Sequence, residues 1–150
     1  KGANVFRGYW RLPEKTADEF TADGFFRTGD LARRDADGYV SIVGRAKDLI
    51  ISGGFNIYPS DLEAVLCEHA AVADVAVVGV PSRQWGETPV AFVVRRAGQQ
   101  APDDAALLQW ANARLGKTQR LYGLRSIEAL PRSPIGKVLK RDLRELHGPV

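Results

Sequence analysis

The sequence predicts an α+β fold, with a central sheet flanked by helices, a short two-stranded hairpin and, before both, a separate β-hairpin segment. Three observations support this prediction. Two valine-rich runs, residues 72–80 and 90–94, have the composition of buried strands. Stretches with a helical spacing of apolar residues, near residues 60–66 and 103–115, flank these runs. A turn pair, Asp37-Gly38, separates two strand-like segments near the start of the chain.

The first 44 residues contain this early hairpin but few apolar positions. Leu31–Asp35 and Tyr39–Val43 have the composition of strands, and Asp37-Gly38 supplies the positive φ that a tight turn requires. A segment with so few apolar residues cannot build a core of its own and is expected to belong to another domain. We therefore place a domain boundary near residues 44–48.

The segment after this boundary predicts a tight hairpin and then a helix. Two short apolar runs, Leu49–Ile51 and Phe55–Tyr58, are separated by a glycine-rich turn. Ser60 followed by Glu63 has the spacing of a capping box, in which each side chain bonds the backbone N–H of the other residue. We therefore expect a helix from Ser60, with a purely structural role for Glu63.

Two strands, two helices and one more short strand complete the prediction. The valine-rich runs are expected to be joined by a polar loop, residues 81–88, and Asp103 is expected to cap the next helix. A short strand near residues 125–127 and a loop over 131–137 precede the final amphipathic helix. The apolar faces are expected to comprise Leu107, Leu108, Ala111 and Leu115 in the first helix and Leu139, Leu143 and Leu146 in the second.

The composition is typical of a soluble globular protein and argues against several functions. The 150 residues are 45% hydrophobic and 26% charged, without a bilayer-spanning apolar run or a signal peptide, so we expect a cytoplasmic protein. One cysteine, Cys67, and two isolated histidines predict no intrachain disulfide and no metal site on protein ligands. The chain begins at Lys1 and contains no methionine, so we expect a fragment of a longer protein.

Two Gly-Lys pairs match the end of a phosphate-binding loop, but neither completes the pattern. Lys117 has Ala111 where the first glycine is required. Lys137 has Pro131 at that place and is followed by Val138 instead of Ser or Thr. The sequence therefore argues against a standard P-loop, and the favoured interpretation of Lys117 is a solvated cation at a helix C-terminus.

Four blocks of the sequence carry a family resemblance when they are taken together. They are Phe26–Asp30 (FRTGD), Gly44–Pro59 (GRAKDLIISGGFNIYP), Gly79–Pro81 with Trp85–Glu87, and Pro131–Lys137 (PRSPIGK). In order and spacing they resemble the adenylate-forming superfamily, which includes acyl-CoA synthetases, luciferases and peptide-synthetase adenylation domains. The second block has the form used by acyl-CoA synthetases. The resemblance implies that residues 1–45 end a large N-terminal AMP-binding domain and that residues 46–150 are the C-terminal domain.

The same resemblance implies a two-step reaction. A carboxylate attacks the α-phosphate of ATP to give acyl-AMP and pyrophosphate, and the thiol of CoA then displaces AMP. The expected cosubstrates are ATP with Mg²⁺, CoA and a carboxylic acid, for which a fatty acid is our preference. Because the acyl pocket of the superfamily lies in the large N-terminal domain, this chain is expected to fold but not to catalyse by itself.

The resemblance implies that residues in the first two blocks bind the nucleotide and form a hinge. The resemblance places Thr28 and Asp30 at the nucleotide, with the Asp30 carboxylate accepting hydrogen bonds from the ribose hydroxyls, and Arg45 beside the same nucleotide. Lys47 is the implied hinge between the domains. Without this context, Asp30 as a turn residue and Arg45 and Lys47 as exposed charges are equally acceptable interpretations.

The remaining roles concern CoA and the adenylation step. Gly53, Gly54 and Phe55 are implied to line the pantetheine passage, since residues without side chains let a thin arm run close to the backbone. Lys137 is the implied adenylation lysine, a mobile charge for the carboxylate and phosphate oxygens. A lysine acetyltransferase acting on Lys137 is therefore an expected partner. Taken alone, the glycine pair would be only a turn.

The sequence does not decide which other residues contact the CoA phosphates. The candidates are the loop Arg83–Glu87, where Trp85 is expected to pack rather than catalyse, and the basic residues Lys140, Arg141 and Arg144. Before the last block, acyl-CoA synthetases usually have aromatic-Lys-x-Pro, whereas this chain has Thr118-Gln119-Arg120-Leu121. The resemblance therefore gives no support to a CoA contact from that segment.

Two other functions are weighed against a CoA ligase. An adenylation domain that loads a carrier protein usually has Asp at the hinge and lacks the run Gly53–Pro59. A nucleic-acid-binding module is suggested by the net charge of +3, but the basic residues are spread among acidic ones. Such a module would also place aromatics among basic residues on an exposed sheet, and the valine-rich strands do not.

Overall fold

The computed structural model describes residues 1–98 and 102–148, and the chain divides into two units, Lys1–Lys47 and Asp48–Val150. The mixed α+β class predicted from the sequence is confirmed. In the first unit, helix α1 (Pro13–Glu19) precedes strands β1 (Asp30–Arg34) and β2 (Val40–Arg45), which pair antiparallel. The turn between them is closed by the Asp35 carboxylate, which accepts from the Tyr39 N–H at 2.8 Å.

The first unit lacks a buried core of its own. Four aromatic rings pack together with centroids 5.1 to 5.6 Å apart, namely those of Phe6, Tyr9, Phe20 and Phe26. None of residues 1–47 is buried, however, and Tyr39, Val40 and Ile42 of the hairpin are 66% to 74% exposed. The small number of apolar residues noted in the sequence is therefore matched by the packing.

The second unit is built on a five-stranded sheet with helices on both faces. Strand β6 lies at its centre, antiparallel to β5 along its whole length, parallel to β7 and joined to β3 where Ser52 pairs with Gly86. The elements are β3 (Ile50–Ser52), β4 (Phe55–Ile57), α2 (Pro59–Cys67), β5 (Val72–Ser82), β6 (Gly86–Arg95), α3 (Asp104–Asn112), β7 (Gly123–Ile127) and α4 (Lys140–His147).

Alternate residues of β5 and β6 supply two separate apolar clusters, one on each face of the sheet. Val75, Val77 and Val93 face the side covered by α2 and α3. The opposite face contains Val78 and Phe92. The helix residues that cover the two faces are Leu62, Leu66, Leu107 and Ala111 on the first and Leu143 on the second. Because both faces are covered, these strands appear in the sequence as nearly continuous valine-rich runs.

Two local predictions fail at the ends of these elements. The polar loop expected over residues 81–88 is wrong, because Pro81 pairs with Glu87 and the strands continue to within three residues of each other. The exposed end of a strand is polar, and a pattern of residue types does not distinguish it from a loop. In α4, Leu143 is buried as predicted, but Leu146 is 57% exposed.

The capping box predicted at the start of α2 is also wrong. The helix begins at Pro59, so Ser60 already lies inside its first turn. The Glu63 carboxylate accepts instead from the Val77 N–H at 2.8 Å and from the Lys140 ammonium at 2.8 Å. Glu63 therefore has the expected structural role with different partners, and it joins α2 and α4 to β5. The cap at Asp103 is confirmed, because its carboxylate accepts from the Ala106 N–H at 2.7 Å.

Candidate functional sites

The hairpin of the first unit brings together Thr28, Asp30 and Arg45. Asp30 begins β1 directly opposite Arg45 at the end of β2, and the Arg45 Nε lies 2.8 Å from an Asp30 carboxylate oxygen. Arg45 also donates to the Thr28 carbonyl at 3.0 Å, and the Thr28 hydroxyl accepts from the Asp30 N–H at 3.1 Å. The backbone turns between Thr28 and Asp30 at Gly29, whose φ of +72° is costly for other residues.

This arrangement holds an acceptor and a cation side by side at an accessible place. The Asp30 side chain is one-quarter exposed and that of Arg45 one-half exposed. One carboxylate oxygen is engaged by Arg45, which leaves acceptor capacity on the other, and the guanidinium retains further N–H donors. The pair is therefore suited to a neighbouring hydroxyl and a neighbouring anion together.

Lys47 lies in a short 3₁₀ turn, Ala46–Asp48, that follows β2. Its side chain is exposed and makes no hydrogen bond or ion pair within the described ranges. The next residue differs, because the Asp48 carboxylate lies 3.1 Å from Arg144 of α4 and is only 17% exposed. The Asp48 side chain is therefore tied to α4, whereas the side chain of Lys47 has no such contact.

Gly53 and Gly54 form the two-residue turn between β3 and β4. Both have positive φ, +55° and +83°, as a type I′ hairpin requires. Gly53 has a second constraint, because its N–H donates to the Trp85 carbonyl at 2.9 Å and the Trp85 ring lies against its Cα. A Cβ at Gly53 would stand 2.8 Å from Trp85 Cε3, whereas a Cβ at Gly54 would meet no atom within 4 Å.

A groove of about 380 Å³ opens beside this glycine turn. Gly53, Phe55 and Trp85 line it, and Lys117, Arg120 and Tyr122 are also among its lining residues. The three aromatic side chains are each at least half exposed, so the groove combines accessible apolar surface with two cations. Such a combination suits a ligand with an apolar arm and an anionic end.

The sequence did not predict the contribution of Lys117 and Arg120 to this groove. The sequence favours a helix C-terminus for Lys117, but α3 ends at Asn112 and Lys117 begins a separate 3₁₀ turn, Lys117–Gln119. No local signal in the sequence shows that this turn meets the β3–β4 hairpin, because the contact joins segments more than sixty residues apart.

The other predicted phosphate contacts are largely engaged elsewhere. Lys140 and Arg144 form ion pairs with Glu63 and Asp48, while Arg141 is 84% exposed. In the loop Arg83–Glu87, the Glu87 carboxylate accepts from the Ile51 N–H at 3.0 Å and so supports the β3–β6 junction.

Lys137 sits at the end of a tightly bonded turn. The Ser133 N–H donates to the Lys137 carbonyl at 2.8 Å, and the Lys137 N–H donates to the Ser133 hydroxyl at 3.2 Å. A further bond, from the Gly136 N–H to the Ser133 carbonyl at 2.8 Å, closes the turn. The Lys137 side chain is exposed, and its ammonium has no bonded partner among residues 1–98 and 102–148. The backbone of Lys137 is thus held while its charge remains available.

The described residues contain no group of three or more His, Cys, Asp or Glu side chains that could hold a metal ion. Partial burial raises the pKa of the Cys67 thiol, and the Asp74 and Glu63 carboxylates raise it further, so this thiol is protonated at neutral pH.

Within the same described residues, no helix is long and apolar enough to cross a membrane.

Comparison with known proteins finds CoA ligases among the similar sequences. A sulfoacetate–CoA ligase of Cupriavidus necator is 46% identical over 143 residues, which are 95% of this chain and 28% of that protein. A long-chain-fatty-acid–CoA ligase of Salmonella typhimurium is 42% identical over 145 residues, 97% of this chain and 25% of that protein. The crystal structure of ATP-bound MatB from Rhodopseudomonas palustris matches with a TM-score of 0.90 and 46% identity, over 98% of this chain and 29% of that chain.

The chain therefore spans between one-quarter and three-tenths of the length of these relatives. Residues 61–137, from the first turn of α2 to the candidate lysine Lys137, match the model of the AMP-binding enzyme C-terminal domain. On this match, the chain belongs to the family of AMP-binding enzyme C-terminal domains.

Proposed function

We propose that this chain is the C-terminal part of an AMP-forming acid–thiol ligase. In the first step, a carboxylate oxygen bonds to the α-phosphorus of ATP and the bond to pyrophosphate breaks. In the second, the CoA sulfur bonds to the acyl carbon, AMP leaves and the thiol proton is released. The observation that carries this proposal is the presence, in one structural unit, of a held but unpaired Lys137 and of a groove beside the Gly53–Gly54 turn.

Lys137 is proposed to act in the first step. Its ammonium has no bonded partner among the described residues, and its backbone is bonded on both sides to Ser133. A preorganised charge of this kind stabilises negative charge that builds up in the transition state without reorganising at that moment. Acetylation of Lys137 would remove that charge, so we propose that a lysine acetyltransferase can switch this step off.

Thr28, Asp30 and Arg45 are proposed to hold the nucleotide. The Asp30 carboxylate accepts from the ribose hydroxyls and the Arg45 guanidinium, fixed by Asp30 and the Thr28 carbonyl, lies beside a phosphate. Mg²⁺ is proposed to enter with ATP as part of the substrate.

The groove beside Gly53, Gly54 and Phe55 is proposed to admit CoA. The glycine turn presents backbone without side chains, which suits a thin pantetheine arm, and the aromatic rings add apolar surface. The two cations that line the groove, Lys117 and Arg120, are proposed to contact the phosphate groups of CoA.

Lys47 is proposed to be the pivot of a domain rotation. Lys137 and the glycine turn belong to one unit and act on the same acyl group in succession, so that unit has to turn between the steps. The Ala46 N–H donates to the Gly29 carbonyl at 2.9 Å on one side of Lys47, and the Asp48 carboxylate pairs with Arg144 on the other, so the torsions of Lys47 between these two contacts are proposed to change.

The acid is proposed only as a carboxylic acid of undefined type. One similar protein is named for sulfoacetate and another for long-chain fatty acids, so a fatty acid is not specified by these similarities. A fatty acid remains the first acid to test, and the cytoplasm, where ATP and CoA are available, is the proposed location. The isolated chain is proposed to be inactive, because most of a relative's length lies outside it.

The proposal is tested by ATP–pyrophosphate exchange on the full-length protein with a panel of carboxylic acids. We expect one class of acid to support exchange, and CoA to convert that acid to its thioester. If none of the acids in the panel supports exchange, the proposed adenylation is contradicted. Exchange followed by transfer to a carrier protein but not to CoA would favour the carrier-loading alternative.

A further inference from the structure

Arg132 connects the Lys137 loop to the central sheet, and the mechanism proposed above makes no use of it. One guanidinium nitrogen donates to the Gly136 carbonyl at 2.7 Å. The other terminal nitrogen forms an ion pair with the Asp74 carboxylate on β5. A single planar group therefore links the residue before Lys137 to a strand of the sheet.

The contact with Gly136 fixes the peptide group between Gly136 and Lys137. The Gly136 carbonyl and the Lys137 N–H belong to the same planar peptide unit. Arg132 holds the oxygen of this unit at 2.7 Å, and the Ser133 hydroxyl accepts from its N–H at 3.2 Å. Both edges of this plane are held, and the Ser133 N–H bonds the Lys137 carbonyl on the other side of the Cα, so the backbone from which the Lys137 side chain leaves is held on both sides. An isolated bridge between Arg132 and Val138 closes the loop at its base.

Asp74 provides a rigid anchor for this contact. It follows a bulge in β5 and precedes a run of buried strand residues, Val75–Val80. One of its carboxylate oxygens accepts from the Val75 N–H at 3.0 Å, while the other faces Arg132. Arginine suits this position because its planar fork donates in two directions, which the single ammonium of lysine does not reproduce.

We propose that Arg132 and Asp74 are positioning residues for the adenylation step, acting through the Gly136–Lys137 peptide. This inference rests on the proposed role of Lys137. Both side chains are substantially exposed, 44% for Arg132 and 39% for Asp74, and exposed ion pairs contribute little to global stability. Their effect is therefore expected on the loop and on the adenylation rate, not on unfolding.

The kinetic test uses the full-length enzyme. Arg132→Ala should lower adenylate formation about 10- to 100-fold, since a misplacement of about 1 Å at a reacting group typically costs ~100-fold. Arg132→Lys should recover only part of this loss. Thioester formation from supplied acyl-adenylate and CoA should be unchanged in both variants. Arg114→Ala is the matched control, because Arg114 is an exposed arginine on the Trp110 ring whose guanidinium also donates to a backbone carbonyl.

The structural test uses the 150-residue chain itself. In Arg132→Ala, hydrogen exchange of the Lys137 amide should become faster than in the wild type, while the thermal midpoint should stay equal to that of Arg114→Ala. Asp74→Asn should have a smaller effect of the same kind. The double variant should be no worse than Arg132→Ala alone, because the two residues act through one contact.

The outcomes separate this inference from the proposed function. If Lys137→Ala leaves adenylate formation intact, the proposed function fails. If Lys137→Ala abolishes it while Arg132→Ala matches the wild type in both rate and amide exchange, only the positioning role is overturned. Equal losses in both half-reactions, or additive losses in the double variant, would also overturn it.

Discussion

Substitution of the two glycines in the β3–β4 turn should have unequal effects, although the residues are adjacent. Both have positive φ, +55° at Gly53 and +83° at Gly54, and an L-residue pays roughly 1–2 kcal/mol for the left-handed conformation. Each substitution by alanine also stabilises the fold by reducing the conformational entropy of the unfolded chain. This contribution is common to both variants and cancels when they are compared. The difference between the variants therefore depends on what the new methyl group contacts.

At Gly53 the methyl group meets Trp85. The added Cβ would lie 2.8 Å from Trp85 Cε3, whereas carbon atoms prefer about 3.5–4.0 Å, so the ring has to move by nearly 1 Å. The Trp85 carbonyl also accepts from the Gly53 N–H, which restricts that movement. Because the ring is half exposed, we place the added cost near the lower end of the ~1–3 kcal/mol typical of overpacking. Gly53→Ala should thus be about 1 kcal/mol more destabilising than Gly54→Ala.

The assay is urea unfolding of the 150-residue chain, followed by circular dichroism so that displacement of Trp85 does not affect the signal. In the full-length enzyme, Gly53→Ala should also slow the CoA-dependent step more than Gly54→Ala, because Trp85 lines the groove. Equal free energies of unfolding for the two variants, or a less stable Gly54→Ala, would refute the reasoning about the Trp85 contact.

The two remaining predictions concern pH and the hinge. Burial raises the pKa of Asp104, but hydrogen bonds from Ser126 and the Arg95 guanidinium outweigh it and hold the pKa below its usual value. This contribution to stability is complete above the unfolded-state pKa of about 3.9 and is lost as the pH falls through the lower folded-state pKa. In urea titrations, the free energy of unfolding of the wild type should exceed that of Asp104→Asn by an amount that shrinks below about pH 4. A difference that stays constant with pH would contradict this prediction. Lys47→Pro, in the full-length enzyme, should preserve much of one half-reaction and lose the other, and an equal loss of both would count against the hinge.

Local features were predicted well from the sequence where the physical cause is local. Asp103 caps α3 because its carboxylate needs only the N–H three residues ahead. The glycine pair at residues 53–54 and Asp37-Gly38 each mark a turn, because positive φ is a property of the residue itself. The valine-rich runs correctly predicted strands β5 and β6.

Predictions failed where distant segments compete for the same group. Glu63 has the spacing of a capping residue, but Lys140, 77 positions further along, and the Val77 N–H take its carboxylate. Neither the parallel pairing of β6 with β7 nor the presence of Arg120 and Trp85 in one groove has a local pattern in the sequence. The candidate lysine Lys137 was found through a motif, whereas its brace, Arg132 with Asp74, depends on a contact that only the folded chain reveals.

The central claim, that Lys137 serves adenylation and not thioester formation, is tested by one paired measurement on the full-length enzyme. Lys137→Ala is assayed once from acid and ATP, and once from supplied acyl-adenylate and CoA. Removal of one preorganised electrostatic partner typically costs ~100- to 1,000-fold in rate, so we expect a loss of that size in the first assay and at most a few-fold loss in the second. Comparable losses in both assays, or no loss in the first, would contradict the claim.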